Sequence, residues 1–236
     1  MKFTTITKAA TLAALAGALS LGLATEAQAA SGTTMYGNPA AAAKFWHYQQ
    51  FDDCVLMSTA DVVGEMTGNQ PSEVAIIKLA EATPSKVHPG SIYMRPANKK
   101  DPNSGNGTSF MDVGQLLAHY GIAAKWTDAT EDAPKGVPAT MESMEQLLGG
   151  GHKVIVSLNA EMIWHQPITT KDEQGKPHSD HGVVVTGIDT AKEVVHLNDS
   201  GNPDGRDEQI PMALFVKSWA TGHNFMVFTT GTGARS

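Results

Sequence analysis

The spacing of apolar residues changes period along the chain. Over residues 52–66, Val55, Thr59, Val62, Val63 and Met66 fall on one face at helical spacing, which predicts an α-helix. Asp52 or Asp53 can cap its start and Gly68 can stop it. A second helix is predicted from residue 71 or 72 to 82, with Val74, Ile77 and Leu79 in its apolar stripe. Ser109-Phe110-Met111-Asp112 has the form of a capping box opening a helix to about His119, closed by Gly121. Residues 141–148 read as a further helix that runs into Gly149-Gly150-Gly151. From there the pattern is β-branched and strand-like over 153–158, 181–188, 193–198 and 224–229, with residues 189–192 joining the second and third strands as a hairpin. Residues 94–109, 127–138 and 165–180 are polar loops, and 31–45 a loose, small-residue lead-in. Helices come first and strands later, so the expected class is α+β with a mostly antiparallel sheet.

The first thirty residues follow another pattern. Lys2 and Lys8 give a positive start, an apolar run extends from Ala9 to about Ala24, and Ala27-Gln28-Ala29 supplies a small-x-small cleavage pattern. The run is about 16 residues, short against the roughly 20 that span a bilayer. The expected organisation is a signal peptide at 1–29, a flexible lead-in at 30–45 and one domain at 46–236. The mature protein is then expected outside the cytoplasm, with no membrane span after cleavage.

Composition narrows the possibilities. With 41% hydrophobic and 17% charged residues, the 236-residue chain can build a core. A net charge of −7 argues against nucleic acid as a partner, because phosphate neutralisation needs a basic surface. One Cys excludes an intramolecular disulfide framework and any multi-Cys metal site. An exported lone thiol is either buried and inert or does chemistry.

That Cys, Cys54, sits in the first turn of the first predicted helix. Free N–H groups and the positive helix end favour a thiolate there and can also donate to an oxyanion formed beside the sulfur. Asp52 and Asp53 oppose the first effect, so a cationic partner is required. Among nine His, His181 stands out because it opens a strand, and a strand end fixes an imidazole better than a loop does. The hairpin register decides what orients it. A three-residue loop makes paired positions sum to 382 and brings Asp199 to the His181 face; an odd sum brings Asn198 instead. Gln49 or Gln50, just ahead of the helix, can supply a second oxyanion donor. A metal site from His165, His178, Asp180 and His181 is the weaker alternative, since no helical spacing fixes it.

These residues resemble the papain-like cysteine peptidases of family C thirty-nine. The matching segments are Gln49-Gln50-Phe51-Asp52-Asp53-Cys54 through Gly68, Gln146-Leu147-Leu148-Gly149-Gly150-Gly151 into the strand ending at Leu158, His181-Gly182-Val183-Val184-Val185-Thr186-Gly187-Ile188-Asp189, and Val194-Val195-His196-Leu197-Asn198-Asp199-Ser200-Gly201. Together they span about 46–205. The resemblance implies a papain-like fold, with N-terminal helices packed on the C-terminal sheet. It also implies Cys54 as nucleophile, His181 as general base, Asp199 as its orienting group and Gln49 as oxyanion donor, acting on a peptide or protein substrate without a cofactor or metal. Three positions depart from the family pattern: the Gln lies one residue nearer the Cys than usual, Val55 replaces a Gly, and Ser200 replaces a Pro. Two alternatives accompany this reading. One is an NlpC-type cell-wall endopeptidase with His196 as third member; the other is a papain-like secreted binding protein that is weakly active or inactive.

Overall fold

The computed structural model describes residues 34–98 and 107–232. The expected signal peptide, and Lys99-Lys100 within the 94–109 loop, lie outside them. Seven strands form one antiparallel sheet: β1 (Met35–Gly37), β2 (Ala124–Thr127), β3 (Val154–Leu158), β4 (His181–Asp189), β5 (Val194–Asn198), β6 (Glu208–Pro211) and β7 (Met226–Thr229). Their order is β2-β7-β3-β4-β5-β6, with β1 added to β4. The helices are α1 (Pro39–Ala42), α2 (Cys54–Thr67), α3 (Glu73–Ala82), α4 (Val113–His119), α5 (Met141–Gly149), α6 (Ala160–Ile163) and α7 (Met212–Trp219).

The alternation of side chains on β3, β4 and β7 divides the core. Val154, Val156, Val183, Val185, Met226 and Phe228 face α5 and α7, where Met144, Leu148, Phe215 and Trp219 pack on them. Ile155, Val184 and Val227 face the other way, towards Val55, Val62 and Val63 of α2 and Val113 and Leu117 of α4. α2 is buried from Val55 to Gly64 because α3 covers its outer side through Ile76, Ile77 and Ala80. A helix buried on nearly all sides needs polar partners inside. Asn198 donates to Asp61 at 2.8 Å, and Lys153 pairs with Glu65 at 2.8 Å.

Most of the expected elements are present, with informative differences. Asp53 occupies the position ahead of α2, yet its side chain makes no capping bond; Gly68 ends the helix in the left-handed conformation at φ 77°. The capping box at Ser109 opens a 3-10 turn, Phe110–Asp112, before α4. Asp112 does not reach back to it but accepts from Ser85 Oγ at 2.6 Å and the Lys86 N–H at 3.1 Å. The flexible lead-in expected at 30–45 is a correction: from Met35 it pairs as β1 with the far end of β4 and turns into α1, burying Ala42. Its small residues are what allow that close packing. β2, α6, β6 and α7 are too short or too weakly patterned to have been predicted.

Candidate active site

Cys54 is the first residue of α2, and α2 lies on the face of β4 that carries Gly182 and Val184. Gly182 has no side chain to hold the helix away: a Cβ there would stand 3.1 Å from Val55 and from Phe110. The helix end therefore leans over the strand, and the Gly182 N–H points at Cys54 Sγ at 3.4 Å. His181 opens β4, opposite Leu158 at the end of β3, and its side chain reaches from the other face of the sheet. Thiol and imidazole meet at the sheet's end. The imidazole Nε2 contacts Asp199 Oδ1 at 2.6 Å, which leaves Nδ1 unoccupied by Asp199, and Cys54 is close enough to act on the ring's charge.

The hairpin register explains why the partner is Asp199. Next to the turn, Asp189 pairs with Val194 and Gly187 with His196, so four residues form the loop and paired positions sum to an odd number. A bulge between Val185 and Gly187 absorbs one residue, and beyond it Val185 pairs with Leu197 and Val184 with Asn198. Parity is restored at the site end, and Asp199 shares the face of His181. Asn198 points the other way, to Asp61 and to the Ala42 carbonyl at 3.0 Å.

Asp199 is fully buried and well supplied with donors. Trp164 Nε1 donates to Oδ2 at 2.9 Å, and the Gly201 N–H donates to Oδ1 at 2.8 Å. Burial alone would raise its pKa; His181, Trp164 and Gly201 outweigh this and hold the carboxyl below the usual range. Burial similarly pulls the His181 imidazole down, but Asp199 and Cys54 overcome it and keep the ring well above the ordinary histidine range. The Trp164 ring packs edge-on against the imidazole at 5.1 Å between centroids and shields its bond to Asp199 from water. Trp46 donates from Nε1 to the Asp199 carbonyl at 2.6 Å.

Gln49 lines the same cleft as Cys54, His181 and Gly201, a cavity of about 340 Å³ that also touches Tyr48, Asp52 and Asp180. Its carboxamide is clasped: Oε1 accepts from Ser200 Oγ at 2.8 Å and Nε2 donates to the Phe51 carbonyl at 2.9 Å. One Nε2 hydrogen remains for a ligand. Ser200, a departure from the family pattern, is thus what holds Gln49. Val55, the other departure, is buried against Gly182 and Phe110 and does not line the cleft.

The alternatives fare less well. His196, the third member under the cell-wall endopeptidase reading, is paired with Asp207 at 2.7 Å and does not partner His181. Among the described residues, His165, His178, Asp180 and His181 do not converge as a metal site. The sequence did not point to Ser200, Gly201 or the Gly182 N–H, because each is brought in by strand register.

Comparison with known proteins gives the family and the fold. Residues 39–225 match the model of the Peptidase_C39 like family. Two uncharacterized proteins, from Mycobacterium tuberculosis and Mycobacterium bovis, are each 61% identical over 229 residues, covering 97% of this chain and 98% of theirs. A solved structure described as a C39-like peptidase from Bacillus anthracis shares the fold, with a TM-score of 0.54 at 16% identity, covering 84% of this chain and 98% of that one. The α+β fold with its antiparallel sheet is the papain-like one, and the chain belongs to the Peptidase_C39 like family.

Proposed function

We propose that this protein is an exported cysteine peptidase or amide hydrolase acting through Cys54, His181 and Asp199. The observation that carries the reading is the His181 imidazole, buried and held between a buried carboxylate and the only thiol of the chain. Such a ring can hold a proton next to sulfur, which favours a thiolate–imidazolium pair. In the first step the Cys54 sulfur attacks an amide carbonyl carbon and forms a C–S bond. The oxyanion is held by the Cys54 N–H at the start of α2 and by the free Nε2 hydrogen of Gln49. His181 gives its proton to the departing amine as the C–N bond breaks, leaving a thioester. His181 then takes a proton from water, the hydroxide attacks the thioester, and carboxylic acid and thiol are released. Asp199 keeps the ring oriented throughout.

Support for the location is the pattern of residues 1–29, and N-terminal sequencing of the protein from culture medium is expected to begin at Ala30. The activity is tested by incubating the mature protein with a mixed peptide pool and reading new termini by mass spectrometry. Cleavage is expected with the parent, absent with Cys54→Ala and reduced on the order of 10²–10⁴-fold with Asp199→Asn, which keeps shape but changes the imidazole's hydrogen bond. No cleavage, together with no labelling of Cys54 by a peptidyl vinyl sulfone, would contradict the proposal.

A further inference from the structure

Behind Asp199 lies a second carboxyl that no step above uses. Glu208 opens β6 directly opposite Leu197 of β5. Side chains alternate, so Glu208 is on the same face as Leu197 and, one pair further, Asp199. Asn202, in the loop between the strands, donates from Nδ2 to Glu208 Oε1 at 3.0 Å. Glu208 Oε2 is buried with no donor directed at it. Asp199 has two donors on Oδ1 and one on Oδ2, which leaves acceptor capacity on Oδ2. A half-buried carboxyl beside a buried carboxylate thus has one open oxygen, and its neighbour has a free lone pair.

Resting on the peptidase reading, we propose that Glu208 is a positioning residue of the site: as a carboxylic acid it donates its proton to Asp199, extending the chain Cys54–His181–Asp199 by one group. Burial, and next to it the charge of Asp199, push Glu208 up to about 7, so the acid form is present through mildly acidic pH. The charged groups acting on it are Asp199 after β5 and His181 from β4. The His196–Asp207 pair belongs to the opposite face, since His196 pairs with Gln209. α7, packed on β6, carries one charged residue, Lys217, which is exposed. Ionisation of Glu208 near neutral pH places a second negative charge behind Asp199. That charge favours imidazolium and makes His181 a weaker acid towards a leaving amine.

The test follows protons rather than turnover. The His181 ring signals are recorded by NMR against pH in the mature Cys54→Ala protein, with Glu208 intact, with E208Q and with E208A. With Glu208 intact, the His181 signal should show a step near pH 7 before the imidazolium itself titrates. In E208Q the step should vanish and the imidazolium should lose its proton earlier, by on the order of half a pH unit or more. The downfield N–H signal of the His181–Asp199 bond should survive in E208Q, whose amide still donates, and weaken in E208A. Identical His181 curves in the parent and E208Q would overturn the proposal, as would an undiminished downfield signal in E208A. If E208A does not fold, the E208Q comparison decides alone. A protein that cleaves nothing still answers this question, whereas failure of the peptidase reading would show in Cys54 labelling and cleavage.

Discussion

Gly201 shows how little room the site leaves. A Cβ at this position would stand 2.8 Å from His181 Cε1 and 3.1 Å from Trp164, while the residue's own N–H donates to Asp199. Any side chain pushes the imidazole away from the sulfur. Gly201→Ala is expected to slow alkylation of Cys54 at neutral pH by roughly tenfold to a hundredfold, with a much smaller change in thermal midpoint. An unchanged rate would mean that the ring has another place to sit. Just ahead of Cys54, the Asp53 carboxyl is buried with no donor to either oxygen, and burial, then Glu73 and Asp52, push it up to about 8. A carboxyl raised on folding stabilises the fold below its unfolded value near 3.8, and that contribution is lost as pH rises through about 8. Asp53→Asn should therefore gain in melting temperature over the parent between pH 5 and pH 8.5, and parallel melting curves would contradict this. Cys54 and His181 were legible from the sequence because local patterns place them at a helix start and a strand start. Gly201, Ser200 and Glu208 were not, because only the pairing of β4 with β5 and of β5 with β6 carries them to the site.

Two elements set the distance across the site, α2 and β4. Besides their apolar contact they share one buried hydrogen bond, from Ser58 Oγ to the Gly182 carbonyl at 3.0 Å, one turn from Cys54 and one residue from His181. Ser58→Ala leaves that carbonyl without this donor and is expected to cost about 1–3 kcal/mol in denaturant unfolding. Cys54 alkylation should slow with it; a stability loss without any change in alkylation would show that the bond holds the fold and not the site. The period of the apolar residues was enough to locate α2, α3, α5, β3 and β4. The short elements β1, β6 and α6 were not legible, since three or four residues without a run of apolar or β-branched neighbours carry too little pattern. The choice between Asn198 and Asp199 was equally hidden. Hairpin arithmetic framed it, but the four-residue turn alone would have given Asn198, and the bulge between Val185 and Gly187 reverses the answer. A bulge leaves no mark in hydropathy, because this strand is buried on both faces and has no polar–apolar alternation for the extra residue to break.

At the scale of the molecule, the sheet keeps two cores apart, α2, α3 and α4 over one face and α5 and α7 over the other. The thiol comes from the first layer and the Trp164–Asp199 support from the second, so the pair exists only when both layers are docked. The central claim is that they bring one sulfur and one cationic imidazole into contact. The most direct check is the rate of iodoacetamide alkylation of Cys54 across pH, in the mature protein and in His181→Ala. The account predicts fast labelling at neutral and mildly acidic pH that slows by an order of magnitude or more without the imidazole. Labelling that follows an ordinary thiol near pH 8.5 in both proteins would contradict it.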